Sequence, residues 1–109
     1  MSGGGERRSR LIDFERVNSA ALANAERIAQ AFIPDGRREG REWSGRNPLR
    51  GDRKPGSFKV NLSTGRWSDF ATGDAGGDLV SLVAYLCGGL TQREAAIRLA
   101  ESLGVDPYE

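Results

Sequence analysis

The spacing at which apolar residues recur changes along this chain, and these changes distinguish predicted helices from predicted strands. From Asn18 or Ser19, either of which is a plausible N-cap, apolar residues recur at helical spacing as far as Ile33, before a proline. The spacing predicts one amphipathic helix that ends there. The apolar residues of positions 11–17 fit either a helical turn or a docked strand.

A period of two replaces the helical period in the middle of the chain. Segments around residues 41–46, 57–63 and 65–70 alternate polar and apolar side chains, and a glycine-containing turn separates the last two. This alternation predicts a three-stranded antiparallel sheet. In the first strand of its hairpin, Phe58, Val60 and Leu62 share one face, and Lys59 and Asn61 take the other. In the return strand, Trp67 and Asp69 fall on one side, and the opposite side carries Arg66, Ser68 and Phe70.

Helical signals return after a glycine-rich turn. Asp78 is well placed to cap a strongly apolar helix, which a pair of glycines ends. Thr91 and Glu94 have the spacing of a capping box, which opens a second helix that runs through Leu103 and is closed by Gly104. Two C-terminal helices are therefore predicted.

These elements predict an α+β fold: a small antiparallel sheet with one N-terminal helix and two C-terminal helices. We expect residues 1–17 to be a flexible lead-in, because the start is polar and rich in glycine, and residues 18–109 to form one domain. A chain of 109 residues has room for one modest core.

Cysteine and histidine are almost absent, which narrows the possible chemistry. The chain has one cysteine, Cys87, and no histidine, so an intramolecular disulfide is excluded and a structural zinc site lacks ligands. Histidine-based hydrolases and nucleases are poor interpretations for the same reason. Cys87 falls in the apolar helix, where we expect it to pack. With no apolar stretch of membrane-spanning length and no secretory signal pattern, we expect a cytoplasmic protein without cofactors.

Charge is unevenly distributed along the chain. Residues 37–66, here called the basic segment, hold nine basic and three acidic side chains, a net charge of +6, whereas the rest of the chain carries −5. Local positive charge of this kind attracts phosphates, although a solvated basic surface has the same composition.

The order of features from Arg46 to Val105 resembles the zinc-binding domain, a zinc ribbon, at the amino end of bacterial and phage DNA primases. That family has Cys-Pro-x-His, a basic linker, a Pro-Ser-Phe-x-Val strand, a return strand ending in Cys-Phe-x-Cys-Gly, and a Gly-Gly-Asp turn before two helices. The resemblance covers about 60 of the 109 residues. The matching segments here are Asn47-Pro48-Leu49-Arg50, Pro55-Gly56-Ser57-Phe58-Lys59-Val60, Trp67-Ser68-Asp69-Phe70-Ala71-Thr72-Gly73, Gly76-Gly77-Asp78 and Glu94-Ala95-Ala96.

The resemblance fails at the metal ligands. Asn47, Arg50, Asp69 and Thr72 occupy the four ligand positions, so it implies the family's fold without its zinc ion. Because those positions converge in the family, we hypothesise that an ion pair between Arg50 and Asp69 bridges the two turns in place of zinc, with Asn47 and Thr72 able to hydrogen-bond around it. The alternative is that all four have become solvated polar residues.

The resemblance also implies a function: binding of a DNA template, most simply single-stranded, through the sheet. The chain would be a non-enzymatic part of a DNA primase or primase-helicase replication system of a phage, plasmid or other mobile element. Nucleic-acid binding of this type combines cations with aromatic stacking platforms. The expected contacts are the cations Arg41, Arg46, Arg53, Lys54, Lys59 and Arg66, with Trp43 or Trp67 for stacking, unless these tryptophans belong to the core.

Other functions remain open at this point. A protein-interaction module that docks on a replication helicase or polymerase, without contacting DNA, fits the same composition. A metal-dependent enzyme would need Asp52, Asp69, Asp74 and Asp78 to converge, yet they are spread over a linker, a strand and a turn. The glycine-rich turn before Asp78 is a poor phosphate site, because it lacks a lysine and carries acidic residues.

Overall fold

The computed structural model describes residues 11–49 and 56–109, and the fold over these ranges is α+β, as the sequence predicted. It consists of four helices and a five-stranded antiparallel sheet in the described part of the chain. The helices are α1 (Phe14–Leu22), α2 (Ala25–Phe32), α3 (Leu79–Leu86) and α4 (Gln92–Leu103). The strands are β1 (Arg37–Glu39), β2 (Glu42–Gly45), β3 (Phe58–Asn61), β4 (Trp67–Asp69) and β5 (Ala75–Gly76).

The single N-terminal helix predicted from Asn18 or Ser19 to Ile33 is wrong in two respects. The helical region begins at Phe14, where the Asp13 side chain accepts a hydrogen bond from the Arg16 amide, and it divides into α1 and α2. At the division, the side chain of Asn24 donates to the Ala20 carbonyl at 2.9 Å. Asparagine side chains that bond to nearby backbone compete with helix propagation, which accounts for the break.

Asn18 lies within α1, but its side chain caps the first turn of α3. Its Oδ1 accepts a hydrogen bond from the Val80 amide at 3.1 Å, and its Nδ2 donates to Asp78 Oδ2 at 3.2 Å. Asp78 is itself the N-cap of α3 and accepts from the Ser81 amide at 2.8 Å. The first turn of α3 is therefore fixed to α1 through the polar group that the sequence suggested as a local start signal.

The sheet has two more strands than the three predicted. It is a meander in which each strand pairs with the next, in the order β1 to β5. Residues expected to form a turn, Arg37–Glu39, pair with β2, and the glycine-rich turn contains β5. Both added strands are short edges with few apolar side chains, so they lack the alternation that identifies a buried strand.

The signals for the C-terminal helices are confirmed. Asp78 caps α3, and Thr91 and Glu94 form the capping box that opens α4. Gly104 ends α4 in the left-handed conformation, with φ of 73°, which glycine adopts at low cost.

The chain ends of the described domain lie together. Ile12 forms an antiparallel bridge with Tyr108, and the Arg16 guanidinium donates to the carbonyls of Asp106 and Tyr108 at 3.1 and 2.7 Å. Of the expected lead-in, residues 1–10 lie outside the described residues, while from Leu11 onward the chain belongs to the packed body and Val17 is fully buried. No described helix combines the length and apolarity needed to cross a bilayer.

Candidate functional site

The two faces of the sheet differ in their side chains. On the face covered by the helices, here called the inner face, Trp43, Phe58, Val60, Trp67 and Asp69 are buried. Since side chains alternate along a strand, the intervening residues point the other way. This opposite side, here called the outer face, carries Glu42 and Ser44 on β2, Lys59 and Asn61 on β3, and Ser68 on β4.

Strand register brings the outer-face residues into rows. Lys59 is paired with Ser44 on one neighbouring strand and with Ser68 on the other, and Ser68 is paired with Ala75 on the edge. Lys59 is thus flanked by small side chains rather than by bulky ones. A shallow groove runs from this part of the face to the β5 edge, and its lining residues are Glu42, Lys59, Asn61, Arg66, Ser68, Ala75, Gly76, Gly77 and the small exposed part of Trp67.

Two of the expected cations have acidic neighbours. Lys59 Nζ lies 3.7 Å from Glu42 Oε1, and Arg46 Nε lies 3.6 Å from Asp35 Oδ2. All four side chains keep substantial solvent exposure, so each pair contributes only about 0 to 1 kcal/mol.

The remaining cations differ in how they are held. Arg41, in the turn between β1 and β2, and Arg66, just before β4, are exposed and have no ion-pair partner within residues 11–49 and 56–109. Arg37, which the sequence did not single out, is exposed on β1 and paired in register with Ser44. Arg53 and Lys54 lie outside the described residues, so their expected contacts stay predictions.

The stacking role expected of the tryptophans is not supported by the structure. Trp43 is 6% exposed and donates from Nε1 to the Ile33 carbonyl at 3.0 Å. Trp67 is 5% exposed and donates from Nε1 to Ser81 Oγ at 2.9 Å. Both therefore belong to the core, where the small number of aromatic residues in this chain is needed.

A glycine packs directly against each indole ring. A Cβ added at Gly36 would collide with the Trp43 ring, and one added at Gly76 would collide with the Trp67 ring. Trp67 also lies against Phe58, with ring centroids 5.7 Å apart, and against Tyr85, at 4.7 Å. With only 6% and 5% of their surfaces exposed, neither Trp43 nor Trp67 presents a ring face on which a base could stack.

An exposed aromatic residue follows β4 instead. Phe70 is 71% exposed, and its amide donates to the Ser57 carbonyl at 2.9 Å, which extends the β3–β4 ladder by one residue. Trp67 and Asp69 point inward, so alternation places Phe70 on the outer face. The sequence already put Phe70 opposite Trp67 on this strand, and that alternation was the signal that could have identified it.

A polar cluster joins the two turns that resemble metal-binding turns. Asn47 and Asp69 are both 0% exposed, and Asn47 Nδ2 donates to Asp69 Oδ2 at 2.8 Å. Asn47 Oδ1 accepts a hydrogen bond from the Leu49 amide at 2.9 Å. In the same way, Asp69 Oδ1 accepts from the Ala71 amide, also two residues ahead, at 2.8 Å. Each turn is thus closed by its own polar side chain, and within the described residues the Asn47–Asp69 hydrogen bond joins the two turns.

Tyr85 extends this cluster to α3 and to the glycine-rich turn. Its hydroxyl accepts from Asn47 Nδ2 at 2.9 Å and donates to Asp74 Oδ2 at 2.8 Å. Burial raises the pKa of Tyr85 above its ordinary value; the bond from Asn47 lowers the pKa and the bond to Asp74 raises it. The neutral phenol is therefore the form that the folded protein favours.

This arrangement does not fit a zinc ion. Asn47 directs an amide donor at Asp69, and Thr72 is exposed, with its hydroxyl accepting from the Asp74 amide at 3.1 Å. The described residues contain no group of three or more histidine, cysteine or acidic side chains that could hold a metal. Arg50 lies outside the described residues, so its ion pair with Asp69 stays a prediction, but Asp69 has Asn47 as a partner.

Comparisons with known proteins give no family assignment. No protein-family model matches the chain, and no curated protein matches it significantly.

Proposed function

We propose that this chain is a nucleic-acid-binding module that holds single-stranded DNA on the outer face of its sheet. Its place would be in a DNA primase or primase-helicase replication system, as the resemblance to the primase zinc-binding domain suggests. The module would bind template and would not catalyse primer synthesis.

The observation that carries this proposal is the composition of the outer face. Lys59 and Arg66 line its groove together with small and polar residues, and the groove also contains the carboxylate of Glu42, which Lys59 contacts through an exposed ion pair. Exposed cations spaced along a groove neutralise successive phosphates, and this contribution does not depend on base sequence.

Acidic residues restrict where a backbone could run. Glu39 is paired with Glu42 at the β1–β2 end of the face, which puts two carboxylates together. A phosphate backbone would avoid that corner and run from Arg66 past Lys59 toward Arg46, on the side of the face where Phe70 lies. The exposed cations therefore define a path rather than a general basic surface.

The test is fluorescence anisotropy with a labelled oligothymidylate of about 15 nucleotides, a length that exceeds most single binding sites. The logarithm of the binding constant should fall linearly with the logarithm of salt concentration, with a slope of about −0.7 per phosphate contacted. Three to four contacts predict a slope of about −2 to −3. A duplex of the same length is the matched competitor and should bind more weakly.

Two outcomes would contradict the proposal. Absence of oligonucleotide binding at low salt would favour the docking module, for which no affinity for DNA is required. Binding without salt dependence would mean that phosphates are not contacted, and the proposed path would be wrong.

A further inference from the structure

The outer face carries an exposed aromatic ring that the cations alone do not explain. Phe70 is 71% exposed, whereas Phe58 on the neighbouring strand and Trp67 on the same strand are buried. Single exposed apolar side chains are common on protein surfaces, so the exposure of Phe70 alone does not assign it a role, and its position relative to the cations has to be considered.

Strand register places the ring beside the proposed backbone path. The Phe70 amide bonds to the Ser57 carbonyl, and Ser68, the preceding outer-face residue on β4, is paired with Lys59. Phe70 and Lys59 are therefore diagonal neighbours on one face, within reach of each other's long side chains. A cation one strand away from an exposed ring is the pairing that binds a phosphate and its attached base together.

We infer that Phe70 is the base-stacking subsite of this module and that its ligand is an unpaired nucleobase, with the adjoining phosphate held by Lys59. The inference rests on the proposed function and makes it more specific, because a stacked base must be free of its complementary strand. Selection of single strands over duplex would then come from Phe70, and the cations would supply affinity without that selection.

The backbone around Phe70 supports a fixed platform. The amide of the next residue, Ala71, is held by Asp69 Oδ1 at 2.8 Å, and the carbonyl of Asp69 accepts from Gly73 at 2.8 Å. The turn that presents the ring is thus anchored to the buried Asn47–Asp69 pair. Little ordering is needed on binding, which favours affinity.

The experiment removes the aromatic ring from the protein and the bases from the ligand, separately and together, and compares the four binding constants. Phe70→Leu keeps an apolar side chain but loses the aromatic face, and an oligomer of abasic sugar phosphates keeps the charge but loses the bases. On oligothymidylate, Phe70→Leu should weaken binding by about fivefold to a hundredfold, the range measured for one stacked base. On the abasic oligomer and on duplex DNA, the change should stay below about twofold.

Two further variants complete the design. Phe70→Trp retains a stacking face and should bind oligothymidylate at least as well as the parent protein. Phe14→Leu is the matched control, since Phe14 is an exposed phenylalanine on α1, on the helical side of the sheet, and it should leave binding unchanged. Because both positions are exposed, circular dichroism should show folded variants.

The results separate this inference from the proposed function. The stacking role alone is overturned if Phe70→Leu loses the same affinity for oligothymidylate as for the abasic oligomer. It is also overturned if Phe70→Leu loses no affinity for either while salt-dependent binding remains. Failure of the parent protein to bind any oligonucleotide overturns both.

Discussion

The inner and outer faces of the sheet are built from the same strands, yet they show opposite chemistry. Phe58 and Val60 on β3 are fully buried, while Lys59 between them remains partly exposed beside small residues. The inner face contains aromatic rings in mutual contact and the buried Asn47–Asp69 pair, and the outer face contains exposed cations with Glu42 beside Lys59. Apart from Ser44, which lies on the outer face but is only 4% exposed, residues that stabilise the fold and residues available to a ligand are therefore segregated by strand alternation. Each face can be altered separately.

The largest effect is expected at the centre of the inner face. Phe58→Ala removes a fully buried ring that stacks on Trp67 and Tyr85, and it should cost about 3 to 5 kcal/mol of unfolding free energy. Urea denaturation followed by tryptophan fluorescence measures this loss. Lys59→Ala, the adjacent position on the outer face, is the control and should change stability by less than about 0.5 kcal/mol. Similar losses for both variants would remove the distinction between the faces.

The next effect is expected at the polar cluster. Asn47→Ala removes the donor to Asp69 and the side chain that closes its own turn, and it should cost about 1 to 3 kcal/mol because buried polar groups lose partners. Asn61→Ala is matched in residue type, since Asn61 also accepts from amides two and three residues ahead, but it lies partly exposed on the outer face. Its loss should be below about 1 kcal/mol, because water can replace its bonds. An equal or smaller loss for Asn47→Ala would show that the cluster does not join the turns.

Removal of outer-face charge should affect binding rather than folding. The double variant of Lys59→Ala and Arg66→Gln should weaken oligothymidylate binding by about tenfold and reduce the salt slope by about 1.4, corresponding to two phosphates. Arg27→Gln on α2 is the control, since Arg27 is also an exposed arginine but lies on the helical side. A slope that stays the same in the double variant would move the contacts elsewhere.

The smallest effect is expected at the edge of the cluster. Tyr85→Phe removes the hydroxyl between Asn47 and Asp74 and should cost about 0.5 to 1.5 kcal/mol near neutral pH. The pKa of Tyr85 is raised in the folded protein, so its contribution is present below the ordinary value of 10 and is lost as pH rises through the folded value. Denaturation of both proteins from pH 8 to 11 should show their difference shrinking above about pH 10. A constant difference would mean that folding does not perturb Tyr85.

The sequence predicted the elements whose signals are local. The Asp78 cap, the Thr91–Glu94 capping box and the Gly104 terminator depend on neighbouring residues, and all three are present in the structure. The alternation that separated Phe58 and Val60 from Lys59 was also correct, because a strand between a core and solvent must alternate. The α+β class followed from these elements.

The remaining features depend on contacts between distant residues. Asn18 was a candidate cap for its own helix, and its actual partners, Asp78 and Val80, are about sixty residues away. The burial of Trp43 and Trp67 follows from where the helices cover the sheet, and no local pattern contains that information. The sequence allowed Asn47 to hydrogen-bond beside Asp69, and that contact is present, but the full burial of both side chains and the part played by Tyr85 were not predicted.

The most direct test of the central claim is an NMR titration of the labelled protein with oligothymidylate, read through side chains that report each face. The Asn61 side-chain amide and the Arg66 Nε–H report the outer face, and the indole N–H groups of Trp43 and Trp67 report the inner one. We predict that the outer-face signals shift progressively while both indole signals stay in place. Shifts confined to the indoles or to helix α1 and α4, or no shift on either face at low salt, would contradict the account.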